Sequence, residues 1–183
     1  MPGGLEHGQS KSRLTSAVCV IVDRIMILLS QAGVPLLVVI VILQWWSTRE
    51  RLLVRHTCVA AGLSFVIGLG LNQIILLFVH RIRPYDAGLT HLVISPSSDW
   101  SFPSDHATAS FAIAASFLFH RLWRRCLLIS SIATLICVSR VYLGTHYLTD
   151  IARGIATAFA AAFVVWLLYR KDTWADRFIA GLF

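Results

Sequence analysis

Long apolar runs, separated by short basic segments, set the pattern of this chain. A bilayer core of roughly 30 Å takes about 20 apolar residues as a helix. The stretches Thr57 to Val79, Cys126 to Leu143 and Thr149 to Tyr169 meet that requirement, the first with Asn72 and Gln73 as its only strongly polar members. His106 to Phe119 is shorter, and its Ala, Phe, Ile and Ser content predicts a helix packed inside a bundle. The N-terminal third admits two readings. Ile25 to Trp46 crosses once despite Gly33 and Pro35, or Leu14 to Ser30 forms a short helix of its own with Asp23 and Arg24 near its middle. That extra element either spans or lies in the interface. The prediction is an all-α, polytopic transmembrane helix bundle of about six helices: four or five spans and one N-terminal element left open. Residues 1–13 read as a polar, disordered tail, and 14–183 as a single membrane-embedded domain without internal repeat or linker. No cleavable signal peptide is expected, because no short apolar core with a small-residue site follows the basic start.

Composition supports the membrane reading. The 183 residues are 57% hydrophobic and 14% charged, with mean hydropathy +0.73, against about 45–50% apolar and about 25% charged in soluble domains. Disorder is excluded on the same grounds. The net charge of +7 does not imply nucleic acid, since the basic residues lie between apolar runs rather than on one patch. Cys19, Cys58, Cys126 and Cys137 all fall in apolar stretches at no metal-like spacing and read as buried, inert thiols. Arg49, Arg51, Arg55, Arg121, Arg124, Arg125, Arg170, Lys171 and Arg177 fall on one side of the proposed membrane, and Arg81, Arg83, Arg140 and Arg153 on the other. The richer side is expected in the cytoplasm. Lys11 and Arg13 argue for a cytoplasmic start as well, which requires the extra N-terminal element to span.

Three polar clusters then face outward together. His80-Arg81-Ile82-Arg83-Pro84 leaves the second span; alone, such arginines only snorkel to headgroups. Ser101-Phe102-Pro103-Ser104-Asp105-His106 opens the next apolar run, either as a simple N-cap or as an anion site at a helix N-terminus. Ser139 to Asp150 carries Arg140 inside an apolar run, then His146 and Asp150. An intramembrane arginine is a functional suspect by default. If the last helix starts near His146, then His146 and Asp150 share a face. The carboxylate can then fix the histidine tautomer and leave the other ring nitrogen as nucleophile or base. Two histidines, at least two arginines whose forks match phosphate oxygens and a helix N-terminus on one membrane face point to phosphoryl hydrolysis. No carboxylate cluster on that face would hold magnesium in the usual way, so neither metal nor cofactor is expected.

These clusters resemble the type-2 phosphatidic-acid phosphatase superfamily, with its motifs Lys-x6-Arg-Pro, Pro-Ser-Gly-His and Ser-Arg-x5-His-x3-Asp. Residues 139–150 match the third in full. Pro103, Ser104 and His106 match the second with Asp105 in place of glycine, a form similar to the BcrC-type branch of bacterial undecaprenyl-diphosphatases. The first keeps Arg83-Pro84, but Leu76 stands at its lysine position. The resemblance covers residues 72–170 and, more loosely, the N-terminal third. It implies a bundle of about six helices with His146 as the nucleophile, Asp150 orienting it and His106 as general acid. It further implies that Arg83 and Arg140 bind phosphate, assisted by Ser104 and the Asp105 backbone. Arg81 is the nearest replacement for the missing lysine, with His80 and His91 as further candidates.

The reaction so implied is hydrolysis of undecaprenyl diphosphate at the outer face of a bacterial cytoplasmic membrane, with bacitracin resistance as a consequence. The partners are a polyprenyl diphosphate substrate and membrane lipids, with no nucleic acid. Alternatives are a phosphatidic acid or phosphatidylglycerophosphate phosphatase and, from another class, a transporter component. The segment from Leu92 to Pro103 either covers the site or is a plain surface loop.

Overall fold

The computed structural model describes residues 4–90, 94, 96, 99–171 and 173–180. Six helices follow in order: α1 (Gly4–Gln44), α2 (Arg51–Leu76), α3 (Asp105–Phe119), α4 (Trp123–Tyr142), α5 (Leu148–Leu168) and the short α6 (Trp174–Ala180). Four contain stretches long and apolar enough to cross a membrane: Val18–Gln44 of α1, α2, α4 and α5. Their outer faces carry exposed Val66, Ile74, Leu127, Leu128, Leu135 and Leu168, the reverse of a water-soluble surface. The protein is a multi-pass membrane protein.

At 15 residues, α3 is about 22 Å long, and it lies buried against α2, α4 and α5. Its run of Ala107, Ala109, Ala112, Ala114 and Ala115 lets neighbouring backbones come close, as small residues do in membrane helices. Two glycines show how close. A Cβ at Gly154 of α5 would stand 2.6 Å from the Ser104 carbonyl, and one at Gly68 of α2 would stand 2.9 Å from Thr108 Cγ2. Larger side chains, including Leu37, Val54, Phe117, Ile129 and Ile136, fill the core farther from this contact.

The N-terminal third keeps the single crossing of the first reading, despite Gly33 and Pro35, but its helix begins earlier. It is one continuous helix from Gly4 through Gln44, starting inside the segment expected as a disordered tail. There is no separate helix ending at Ser30. Gly33 does not break α1; a Cβ there would lie 2.5 Å from Ile136 Cγ1, so it is the point where α1 presses on α4. Pro35 lies inside the helix and forgoes one backbone bond, which transmembrane helices tolerate. Tyr142 donates to Asp23 at 2.8 Å, so the first half of α1 sits beside the end of α4. The first half of α1 therefore lies at the end of the bundle that holds Arg140 and His146, and among the described residues no separate helix precedes it.

The sixth helix is the one the sequence reading lacked. Asp176 pins α6 to the bundle, with Oδ1 2.7 Å from His56 Nδ1 and accepting from Tyr169 at 2.8 Å. His56 Nε2 faces His120 Nε2 at 3.0 Å, and His120 Nδ1 donates to the Ser116 carbonyl at 2.7 Å. Burial pushes His120 down from its usual range, in keeping with its role as acceptor.

Candidate functional site

The turn between α4 and α5 delivers His146. Gly144 takes the left-handed conformation at φ 71°, which ends α4 as glycine does after a helix. Thr145 N–H returns to the Arg140 carbonyl at 3.1 Å and Gly144 N–H to Val141 at 3.0 Å, the paired bonds of a Schellman motif. This folds residue 146 back toward residue 140, with Arg140 Nη2 3.5 Å from His146 Nε2.

The histidine is oriented by backbone. His146 Nδ1 donates to the Ser101 carbonyl at 2.7 Å, so Nε2 keeps its lone pair. Burial first, then Arg140 and Arg83, pushes its pKa down to about 3. The imidazole is neutral at any physiological pH.

Asp150 is fully buried and stands 3.9 Å from His146 Nδ1, outside hydrogen-bond distance. The expected direct contact is replaced by a bridge. Ser101 places its carbonyl on His146 and its hydroxyl on Asp150 Oδ2. The reason is where α5 begins: Leu148, not His146, so the two residues do not share a helical face. Asp150 also accepts from the Tyr147 N–H at 3.0 Å.

Arg81 has a different place from the one expected. Its Nη1 donates to Asp150 Oδ1 and Thr149 Oγ1, each at 2.7 Å, and its guanidinium lies 3.9 Å from the Tyr147 ring centroid. It seals the outer side of the carboxylate and does not line the cavity. His80 is exposed and leans on Trp100 at 5.0 Å; His91 lies outside the described residues, as does part of the segment from Leu92 to Pro103.

A cavity of about 390 Å³ opens in front of His146, lined by Arg83, Asp105, His106 and Arg140. Gln73, Leu76, Asp99, Trp100 and Pro103 complete its wall. Arg83 donates to the carbonyls of Asp99 at 2.8 Å and Thr145 at 3.2 Å, and Arg140 to Ser30 Oγ at 2.6 Å. These partners are neutral, and among the described residues neither arginine is in an ion pair. Asn72 Nδ2 donates to Asp105 Oδ1 at 2.7 Å and to Thr108 Oγ1 at 2.9 Å, fixing the start of α3. Ser104 stands at the N-cap position of that helix, behind the cavity wall, its backbone N–H donating to the Asp150 carbonyl at 3.3 Å. Among the described residues Ser104 Oγ, Arg140 Nε and Asn72 Oδ1 are buried without hydrogen-bond partners, an uncommon state for buried polar atoms. Among the described residues no three His, Cys, Asp or Glu side chains converge as metal ligands would.

Five of the eight predicted site residues therefore line one cavity, with Ser104 and Asp150 directly behind it and Arg81 beyond. The sequence reading missed Ser101, Ser30, Asp99, Trp100 and Gln73. Gln73 carried a visible signal: it is a strongly polar residue in an apolar span, one turn before Leu76 and so on the same face. An imidazole lone pair, two guanidiniums outside any ion pair and a second imidazole can bind a phosphate group and accept its phosphorus.

Residues 56–174 match the family model described as PAP2 superfamily. The Escherichia coli (strain K12) protein named undecaprenyl-diphosphatase YbjG is 36% identical over 151 residues, which cover 77% of this chain and 73% of the relative. Undecaprenyl-diphosphatase BcrC of Bacillus subtilis (strain 168) is 30% identical over 149 residues, covering 79% and 73%. The crystal structure of a transmembrane PAP2-type phosphatidylglycerolphosphate phosphatase from Bacillus subtilis superimposes with a TM-score of 0.58 at 21% identity, over 94% of this chain and 90% of that one. Fold, motif spacing and relatives agree: the chain belongs to the PAP2 superfamily.

Proposed function

We propose that this protein hydrolyses undecaprenyl diphosphate to undecaprenyl phosphate and inorganic phosphate. The observation that carries the reading is His146, with Nδ1 tied to a carbonyl and its ring lining a cavity shared with Arg83, Arg140 and His106. The names of two relatives supply the substrate.

In the proposed reaction Arg83 and Arg140 hold the terminal phosphate, with Ser104 Oγ and the N–H groups at the start of α3 contributing further donors. His146 Nε2 attacks phosphorus, the bond to the bridging oxygen breaks, and His106 protonates the departing lipid phosphate. The phosphohistidine gains positive charge on its ring. The Ser101 carbonyl and the Asp150 carboxylate stabilise that charge at Nδ1, the side where they already lie. His106 then takes a proton from water, whose oxygen attacks phosphorus; the phosphorus–nitrogen bond breaks and phosphate leaves. Positioning and fixed charge provide most of the acceleration, as expected for phosphoryl transfer.

The nine basic residues at the opposite end orient the site toward the outside of the bacterial cytoplasmic membrane, where a lipid diphosphate meets it without crossing the bilayer. Recycling of this carrier lipid is expected to raise bacitracin resistance in cells that express the protein. A membrane-impermeant reagent should label a cysteine placed at Gly88 in intact cells but not one placed at Arg170; the inverse pattern would refute the orientation.

The test is phosphate release by the purified protein in detergent with EDTA, from undecaprenyl diphosphate, phosphatidic acid and phosphatidylglycerophosphate in parallel. Preference for the diphosphate supports the reading. Preference for either phospholipid keeps the chemistry and moves the substrate; no release from any of them contradicts it.

A further inference from the structure

At the end of the bundle away from His146, a cavity of about 440 Å³ is lined by Arg49, Arg121, Arg124 and Arg125, with Glu50 and Trp123 beside them. Two connections form its walls and are tied together. Arg125 of α4 donates from Nη1 to Oε1 of Gln44, the last residue of α1, at 2.7 Å and from Nη2 to Oγ of Ser47, in the stretch linking α1 to α2, at 2.8 Å. Those partners are neutral. Among the described residues none of the four arginines is in an ion pair, so Glu50 is the one carboxylate in a wall of four guanidiniums.

Helix ends add to the imbalance. Both α2 and α4 start at this cavity without a side-chain cap; Glu50 stands at the N-cap position of α2, and neither helix has an acidic residue in its first turn. Arg124 and Arg125 stand in the first turn of α4, where the macrodipole is positive and cations are unfavourable. Fixed cations gathered around two positive helix ends and an open cavity form an arrangement that an anion would relieve. Trp46 and Trp123 are 65% and 58% exposed at these helix ends, the depth at which tryptophan marks the headgroup layer.

We propose that this cavity binds the phosphate of an anionic phospholipid headgroup, as a site separate from the catalytic one. Arg49, Arg121 and Arg124 are exposed and reach the phosphate, while Arg125 is preset by Gln44 and Ser47. The proposal does not depend on which lipid His146 acts upon.

The experiment measures thermal stabilisation of the detergent-purified protein by short-chain phosphatidylglycerol, short-chain phosphatidylcholine and inorganic phosphate, for wild type and the double variant R49Q/R124Q. Any binding at the catalytic cavity is common to both proteins, so the difference between them reports this site. The expected result is stabilisation of wild type by phosphatidylglycerol but not phosphatidylcholine, with the apparent affinity about tenfold weaker in R49Q/R124Q, as loss of a charge-assisted contact predicts. If inorganic phosphate stabilises wild type equally and the variant less, the site is upheld as an anion site but its occupant is free phosphate rather than lipid. Equal stabilisation of wild type and variant, or none of wild type by any anion, overturns the proposal. Unchanged phosphate release by R49Q/R124Q shows that the variant is folded.

Discussion

Arg81 and Arg83 are two residues apart and do different work. Arg83 lines the cavity, its guanidinium on backbone carbonyls, whereas Arg81 is paired with Asp150. Arg83→Ala is therefore expected to raise KM strongly, while Arg81→Ala lowers kcat about tenfold or more with little change in KM, since loss of a charge-assisted bond is worth about 1.5–3 kcal/mol. Steady-state kinetics on both variants separate the roles; a KM effect from Arg81→Ala equal to that from Arg83→Ala would put Arg81 on the phosphate after all. The same side chains show what sequence reveals at this scale. His146 and Asp150 are legible because they lie within one short motif. Ser101 is not, because it meets them from 45 and 49 positions away, through the path of the segment after α2. Depression of the His146 pKa from 6.5 to about 3 also has a consequence for stability. Between those values the unfolded chain binds a proton that the folded chain refuses, so stability rises with pH across that window and is complete above about 6.5. Melting curves in detergent from pH 4 to pH 7 should show a shallower acid limb for His146→Asn than for wild type.

Among the elements, α3 was readable as an internal helix because it is short and rich in alanine, and the structure encloses it. The crossing by α1 was readable despite Gly33 and Pro35; its extension back to Gly4 was not, because residues 1–13 are polar. Gly33 is where α1 meets Ile136 of α4. Helix α6 escaped notice because seven residues carry little periodic signal, and its anchor at His56 lies 120 positions away. Packing around α3 gives a direct test. A Cβ at Gly154 would meet the Ser104 carbonyl at 2.6 Å and Ala107 Cβ at 3.0 Å, atoms fixed at the start of the helix. Gly154→Ala is expected to destabilise by about 1–3 kcal/mol, as overpacking does, and to lower activity by shifting Ser104. Gly33→Ala meets side-chain rather than backbone atoms, those of the buried Ile136 with Cγ1 at 2.5 Å, and should cost less because a side chain can shift where a helix-start carbonyl cannot. Equal loss in the two variants, read from thermal melting in detergent, would contradict this ranking.

Across the whole molecule, charge and chemistry are divided between the two ends of one bundle. One end holds the imidazoles, Arg83, Arg140 and the cavity in front of them. The other holds the arginine-lined cavity and the His56, His120 and Asp176 cluster. Hydropathy alone foretold the membrane bundle. That α1 is a single unbroken helix needed the structure. What joins these scales is a single histidine whose Nε2 is kept neutral, aimed and surrounded by cations. The measurement that tests this most directly is rapid acid-free quenching of the purified protein with terminally 32P-labelled undecaprenyl diphosphate. The account predicts label on the protein that is stable to base, labile to acid, and absent from His146→Asn. Turnover without such a labelled species in wild type, or the same species in His146→Asn, would contradict it.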